Sequence, residues 1–273
     1  MQKITNLVYS EEFPAIQTVD IYTPENPKAT FIYFHGGGLD RGNKLGAEKY
    51  APYLCERDIA IASVNYRLYA NPNYPDRPYT PAKYPDFIRD VSKAVAFTKK
   101  HMKENFNQDK IYVGGSSAGG YLSMMLCFDR KWLNEAGLSN DDIAGYLHDA
   151  GQPTAHFKIL SERGFDSRRT IVDDTCPLYY VGVEKSYPPM RFLVSDSDIK
   201  NRLEQTMLVL GTMSKFGYTG YDHLVIHGTH VAYTKSMDED GYSPFAKMIF
   251  DFIDKVENGG YTLSEKIEEV LDR

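Results

Sequence analysis

A chain of 273 residues is long for a minimal domain yet within the range of a single α/β domain, and 42% hydrophobic with 25% charged residues excludes a disordered or membrane-embedded polymer. With 31 basic against 37 acidic residues, net −6, it lacks the Lys and Arg excess that holds nucleic acid or an anionic membrane, so neither is an expected partner. After Met1–Tyr9, which has no apolar run of the signal-peptide kind, strands are expected at Thr18–Tyr22, Thr30–Phe34 and Ile59–Asn65. Tyr69–Tyr84 and the residue after it carry Pro72, Pro75, Pro78, Pro81 and Pro85, so this stretch reads as an ordered loop.

Phe87, Val91, Val95, Thr98 and Met102 share one helical face between Pro85 and Lys103. Strands follow at Ile111–Gly114 and Ile143–Leu147. Residues 148–190 are too long for a simple connection and read as a small lid. A strand at Arg191–Val194 precedes a helix with Leu203, Met207, Leu210 and Met213 on one side, ending before Phe216. The last strand is His223–His227, followed by a helix with Ser243 as N-cap, Pro244 in its first turn, and Phe245, Ile249, Phe252 and Val256 facing inward. A final short helix is expected after Thr262, with Glu265 placed as in a capping box. Near-continuous apolar strands alternating with helices predict an α/β fold: a mostly parallel central sheet, helices on both faces, one domain over 1–273.

Gly115-Ser116-Ser117-Ala118-Gly119 stands between an apolar strand and an apolar helix. A serine on so sharp a turn needs glycine two residues to either side, because the backbones crowd there, and the turn lifts its hydroxyl clear of the sheet. Ser117 is therefore the candidate nucleophile, and the N–H of Ala118 points to where an oxyanion would form. His35-Gly36-Gly37-Gly38 directly follows Thr30–Phe34 and offers the N–H groups of Gly36 and Gly37 as the other half of an oxyanion hole. A phosphate-cradling loop would need a Lys and a Ser/Thr that are not in place. His35 reads as a residue that orients this loop, not as a base.

Together His35–Gly38, Asn65-Tyr66-Arg67-Leu68, Asp90 ahead of a helix and Gly115–Gly120 resemble the α/β-hydrolase esterases of the hormone-sensitive-lipase and bacterial acetyl/feruloyl (BD-FAE-like) type. The resemblance runs from about Asp20 to Ile253 and is poor over 129–186. Leu39-Asp40 after the glycines and Gly115-Ser116 before the nucleophile turn it towards the bacterial carbohydrate-ester branch. It implies an α/β-hydrolase fold and a Ser-Asp-His order along the chain. His230, in the loop after the last strand, is the expected base, with His227 the fallback. The resembling esterases place the acid nine residues past a Pro-Pro pair such as Pro188-Pro189, which lands on Asp198; Asp196 is the alternative.

The expected activity is that of a serine carboxylesterase on short acyl or aryl-acyl esters, plausible substrates being acetylated or feruloylated carbohydrate. Tyrosines at 69, 74, 79 and 84, and at 179, 180 and 187, suit stacking on sugar faces. An arylformamidase-type amidase shares the same motifs and is the alternative enzyme; a non-catalytic ligand-binding protein of hydrolase fold is the alternative outside enzymes. No cofactor is expected, and the seven histidines show no metal-ligand spacing. Cys55, Cys127 and Cys176, odd in number and scattered, suit buried thiols and a cytoplasmic location.

Overall fold

The computed structural model describes residues 1–75 and 81–261, together with the backbone of 264–265. Among the described residues ten strands form two sheets: β1 Gln2–Val8, β2 Thr18–Thr23, β3 Ala29–Phe34, β4 Ile59–Val64, β5 Ile111–Ser116, β6 Gly145–Asp149, β7 Ser186–Tyr187, β8 Met190–Ser197, β9 Tyr221–Thr229 and β10 Ser264–Glu265. The eight-stranded main sheet has the order β1-β2-β4-β3-β5-β6-β8-β9. From β4 to β9 every pairing is parallel, while β1 and β2 join antiparallel at one edge. The small sheet is the antiparallel pair β7–β10.

Strands β2 to β6 are buried at every residue, which is why several of them read as near-continuous apolar runs. Their alternate side chains feed two cores. Ile32, Phe34 and Val113 face α2 (Asp86–Phe106), α3 (Ala118–Phe128) and α7 (Arg202–Lys215), where Val91, Leu122 and Val209 meet them. Phe31, Tyr33 and Tyr112 face α1 (Ala51–Cys55) and α8 (Pro244–Glu257), where Leu54, Ile249 and Phe252 close the other side. Short helices α4 (Lys131–Glu135), α5 (Phe157–Glu162) and α6 (Pro177–Tyr180) complete the described elements. Among the described residues no helix is long and apolar enough to cross a membrane. The three cysteines are free and buried.

Several expectations need correction. No helix covers Ser264–Glu265: these residues add a strand to Ser186–Tyr187, so pairing with an open edge overrides the local capping signal of Thr262 and Glu265. The rest of that expected helix lies outside the described residues. Ser243 does sit at the N-cap of α8 with Pro244 at its start, but the buried hydroxyl makes no capping bond. His148 and Asp149 finish β6, so the segment read as a lid starts two residues later than expected. Residues 69–75 and 81–84 of the proline-rich stretch form neither helix nor strand; Pro78 and Tyr79 lie outside the described residues.

Candidate active site

Ser117 joins β5 to α3 with φ 57° and ψ −112°, a backbone conformation that a non-glycine residue holds only when its surroundings over-determine it. Its N–H is tied to the Asp149 carbonyl at 2.7 Å across the β5–β6 pairing. The flanking glycines are compelled by the neighbouring strand: a Cβ on Gly119 would stand 1.9 Å from the Phe34 carbonyl oxygen, and one on Gly115 would stand 2.5 Å from it. Gly37, with φ 118°, turns the loop after β3 so that a Cβ there would meet the Arg41 carbonyl at 2.2 Å.

The glycine loop lies over the elbow, and the position of a Gly36 Cβ is 3.3 Å from that of Ser117. His35 braces it. Its ring stacks on Tyr66 at 4.4 Å, its Nδ1 lies 2.7 Å from the Gly36 carbonyl, and the Tyr66 hydroxyl donates to the His35 carbonyl at 2.7 Å. Next along the chain, Arg67 donates from Nε and one terminal nitrogen to the buried Asp90 at 2.9 and 2.7 Å. The Asn65–Leu68 run and Asp90 thus hold the loop from behind.

The ladder between β8 and β9 slips register between Ser195 and Ser197, and such a bulge re-aims the side chains that follow. Two His–Asp pairs result. His230 Nε2 is 2.8 Å from Ser117 Oγ, and its Nδ1 is 2.6 Å from Asp198 Oδ1. His227 Nδ1 is 2.8 Å from Asp196 Oδ2, but its side chain is 96% exposed and faces solvent. The Asp198 side chain is 1% exposed. Burial opposes its ionisation, yet the His230 bond and charge, with the N–H groups of Ile199 at 2.7 Å and Ser195 at 3.3 Å, outweigh it and hold the carboxyl below its ordinary range. A hydroxyl, an imidazole and an ionised carboxylate in one line can pass a proton from the first to the second while the third stabilises the resulting cation. Beside this line the backbone bends again at Val231, a β-branched residue at φ 48°.

Ser117, His230, Gly36 and Gly37 line one open cleft of about 510 Å³, with Phe157 and Ile199 on its rim. Of the tyrosines suited to stacking on sugar, only Tyr74 among the described residues lines it. Tyr69 instead donates to Glu162 at 2.6 Å, Tyr84 and Tyr180 donate to the Asp174 carbonyl, Tyr187 is buried, and Tyr179 packs against Tyr180. Tyr79 lies outside the described residues. Residues 150–185 close over one side: a Cβ on Gly38 would stand 3.0 Å from the Phe157 ring, Lys158 pairs with Asp40 at 2.5 Å, and Glu162 accepts from the Tyr84 N–H at 3.2 Å.

Asp149 escaped the sequence reading. It ends β6 beneath the elbow, fully buried, and accepts from the Tyr233 hydroxyl, while Ser116 Oγ approaches without meeting hydrogen-bond geometry. Burial pushes its carboxyl up to about 7 against these two hydroxyls, and the Asp198 charge adds to the rise. The folded protein then keeps the proton between about pH 4 and 7 while the unfolded chain has lost it, so this group's stabilisation is complete below pH 4 and is lost as pH rises through 7. Asp149→Asn keeps the Tyr233 bond and removes the titration. In urea unfolding the variant should gain on the wild type by roughly 4 kcal/mol between pH 4 and pH 8; a difference that does not vary with pH contradicts the assignment.

A mostly parallel open sheet with helices on both faces, a strand-to-helix elbow at β5 and a bulged β8 edge defines the α/β-hydrolase fold. The chain belongs to the BD-FAE family, whose family model matches residues 19–159. It is similar to the probable isoprenylcysteine alpha-carbonyl methylesterase ICMEL1 of Arabidopsis thaliana, 30% identical over 109 residues that make up 38% of this chain and 21% of that protein. The chain thus matches about a fifth of that relative's length. In fold it is similar to esterase B from Lactobacillus Rhamnosis (HN001), with TM-score 0.72 and 18% identity over 94% of this chain and 87% of that one. It is likewise similar to a truncated carbohydrate esterase from gut microbiota, with TM-score 0.70 and 18% identity over 94% and 97% of the two chains.

Proposed function

We propose that the protein is a serine carboxylesterase in which Ser117 is the nucleophile, His230 the base and Asp198 the acid. The observation that carries this reading is the continuous line from Ser117 Oγ through His230 to the buried Asp198, at 2.8 and 2.6 Å, set beside a glycine loop. Ser117 Oγ attacks the ester carbonyl as His230 Nε2 takes its proton. The oxyanion is received by the N–H groups of Gly36, Gly37 and Ala118, each donor being worth on the order of 3 kcal/mol in the barrier. Collapse breaks the bond to the alcohol, which leaves with the proton from His230. Water, deprotonated by the same imidazole, then releases the acid and restores Ser117.

Short acyl or aryl-acyl esters fit an open cleft of about 510 Å³ walled in part by Tyr33, Tyr50, Tyr74 and Phe157. An acetylated or feruloylated carbohydrate is the proposed alcohol part, supported by the name of the gut carbohydrate esterase that shares the fold and by Tyr74 at the cleft. The chain acts as one domain over 1–273, with the segment 150–185 as its lid. Treatment with diethyl 4-nitrophenyl phosphate should add one diethylphosphoryl group to the peptide containing Ser117 and abolish 4-nitrophenyl acetate hydrolysis in parallel. Inhibition without that adduct removes Ser117 from the mechanism. Among natural candidates, faster turnover of acetylated xylo-oligosaccharide than of N-formylkynurenine is expected; the reverse order favours the amidase reading.

A further inference from the structure

The cleft around Ser117 is cationic in a chain whose net charge is −6. Arg41 follows the glycine loop, Lys49 lies in the 3-10 turn Lys44–Tyr50, and Lys235 ends the short turn after His230. All three line the cleft, and among the described residues no aspartate or glutamate does. None of the three forms an ion pair among the described residues, in contrast to Lys3, Lys44 and Lys158, which hold Glu48, Asp20 and Asp40. Of the acids beside the cleft walls, Asp40 is engaged with Lys158 at 2.5 Å, Asp198 with His230 at 2.6 Å, and the buried Asp149 with the Tyr233 hydroxyl.

Lys49 is half-buried with its ammonium 5.4 Å from the centre of the Tyr50 ring. Burial, and then the charge of Lys235, hold its pKa below the ordinary lysine value. Two ammonium groups within electrostatic reach of each other in one cleft, without a counter-ion, repel; a bound anion converts that repulsion into attraction.

We propose that the ester cleaved at Ser117 carries an anionic group, a carboxylate, on its acyl or its alcohol part, which Arg41, Lys49 and Lys235 hold while the carbonyl faces the glycine loop. The inference rests on the esterase reading above. The carboxylate adds binding energy remote from the scissile bond and steers the substrate into the cleft, so its benefit falls as salt screens the field.

Two matched pairs test it. 4-Nitrophenyl hydrogen adipate against 4-nitrophenyl hexanoate puts the charge on the acyl side. 4-Acetoxybenzoate against its methyl ester puts it on the alcohol side. In at least one pair kcat/KM should favour the anion by about tenfold or more at low salt, and the ratio should shrink towards one in 1 M NaCl. In the triple variant Arg41→Gln, Lys49→Gln, Lys235→Gln the same ratio should drop to about one, the neutral ester of the pair serving as the internal reference for folding. The pair that responds tells which side carries the charge. Ratios near one in both pairs, or a preference that survives the triple variant, overturn the proposal while hydrolysis of the neutral esters leaves the esterase reading standing. Absence of turnover on all four esters overturns the esterase reading and the selectivity with it.

Discussion

Ser117→Ala is expected to lower kcat on 4-nitrophenyl acetate by about 10⁶-fold, leaving only the rate that positioning and the oxyanion donors supply. The substitution removes a single oxygen. Alanine keeps the Cβ and accepts the backbone at φ 57° no worse than serine does, and the bond from the residue 117 N–H to the Asp149 carbonyl is untouched. Thermal unfolding should therefore match the wild type within the scatter of a surface substitution, separating lost chemistry from lost fold. Ser116→Ala is the internal control. Its hydroxyl is buried with no hydrogen-bond partner and lies near Asp149 and Tyr33, and it makes no bond to His230, so activity should persist. Retained turnover in Ser117→Ala, or loss in Ser116→Ala with the fold intact, would move the nucleophile by one residue.

The elbow was legible in the sequence because its constraint is local. The glycines around Ser117 answer to the Phe34 carbonyl, and no side chain fits that space whatever the rest of the chain does. The strands from β2 to β6 were legible for a related reason, being buried on both faces and so mostly apolar. β1 was not: as an edge strand with mostly exposed, polar residues and a slip between Ile4 and Leu7, it carries no pattern to read. The fate of Ser264–Glu265 was hidden for the opposite reason, since the pattern there favoured a helix and the partner strand lay almost eighty residues earlier.

Spacing alone could not separate the two His–Asp pairs. Asp196 and His227 are 31 residues apart, Asp198 and His230 are 32 apart, and both pairs form. What separates them is direction: His227 projects from β9 into solvent, whereas His230 lies past the strand end, where the loop turns back over β5. Asp149 and the cations of the cleft were illegible because they belong to no motif. Asp149 gains its character from burial beneath the elbow and finds its partner Tyr233 84 residues away, and Lys49 gains its neighbour Lys235 only when the sheet is assembled.

That difference in direction predicts unequal outcomes for two chemically identical substitutions. Asp198→Asn should lower kcat by about 10⁴-fold. Both carboxylate oxygens of Asp198 are acceptors only: Oδ1 receives the Ile199 N–H and faces His230 Nδ1, and Oδ2 receives the Ser195 N–H. An amide must put its NH₂ at one of these places. Against Ser195 it sets donor to donor and leaves His230 without a negative charge to stabilise its cationic form. Against His230 it drives the ring proton to Nε2, facing Ser117 Oγ, and the base is gone. Asp196→Asn disturbs a solvent-exposed pair and leaves an amide oxygen to accept the Gly228 N–H that Asp196 Oδ1 receives at 3.0 Å, so it should change kcat/KM by less than about threefold. Steady-state kinetics of both variants on 4-nitrophenyl acetate, with His227→Ala beside them, decide the matter: a large loss in Asp196→Asn or His227→Ala, with Asp198→Asn spared, would transfer the acid and base to the outer pair.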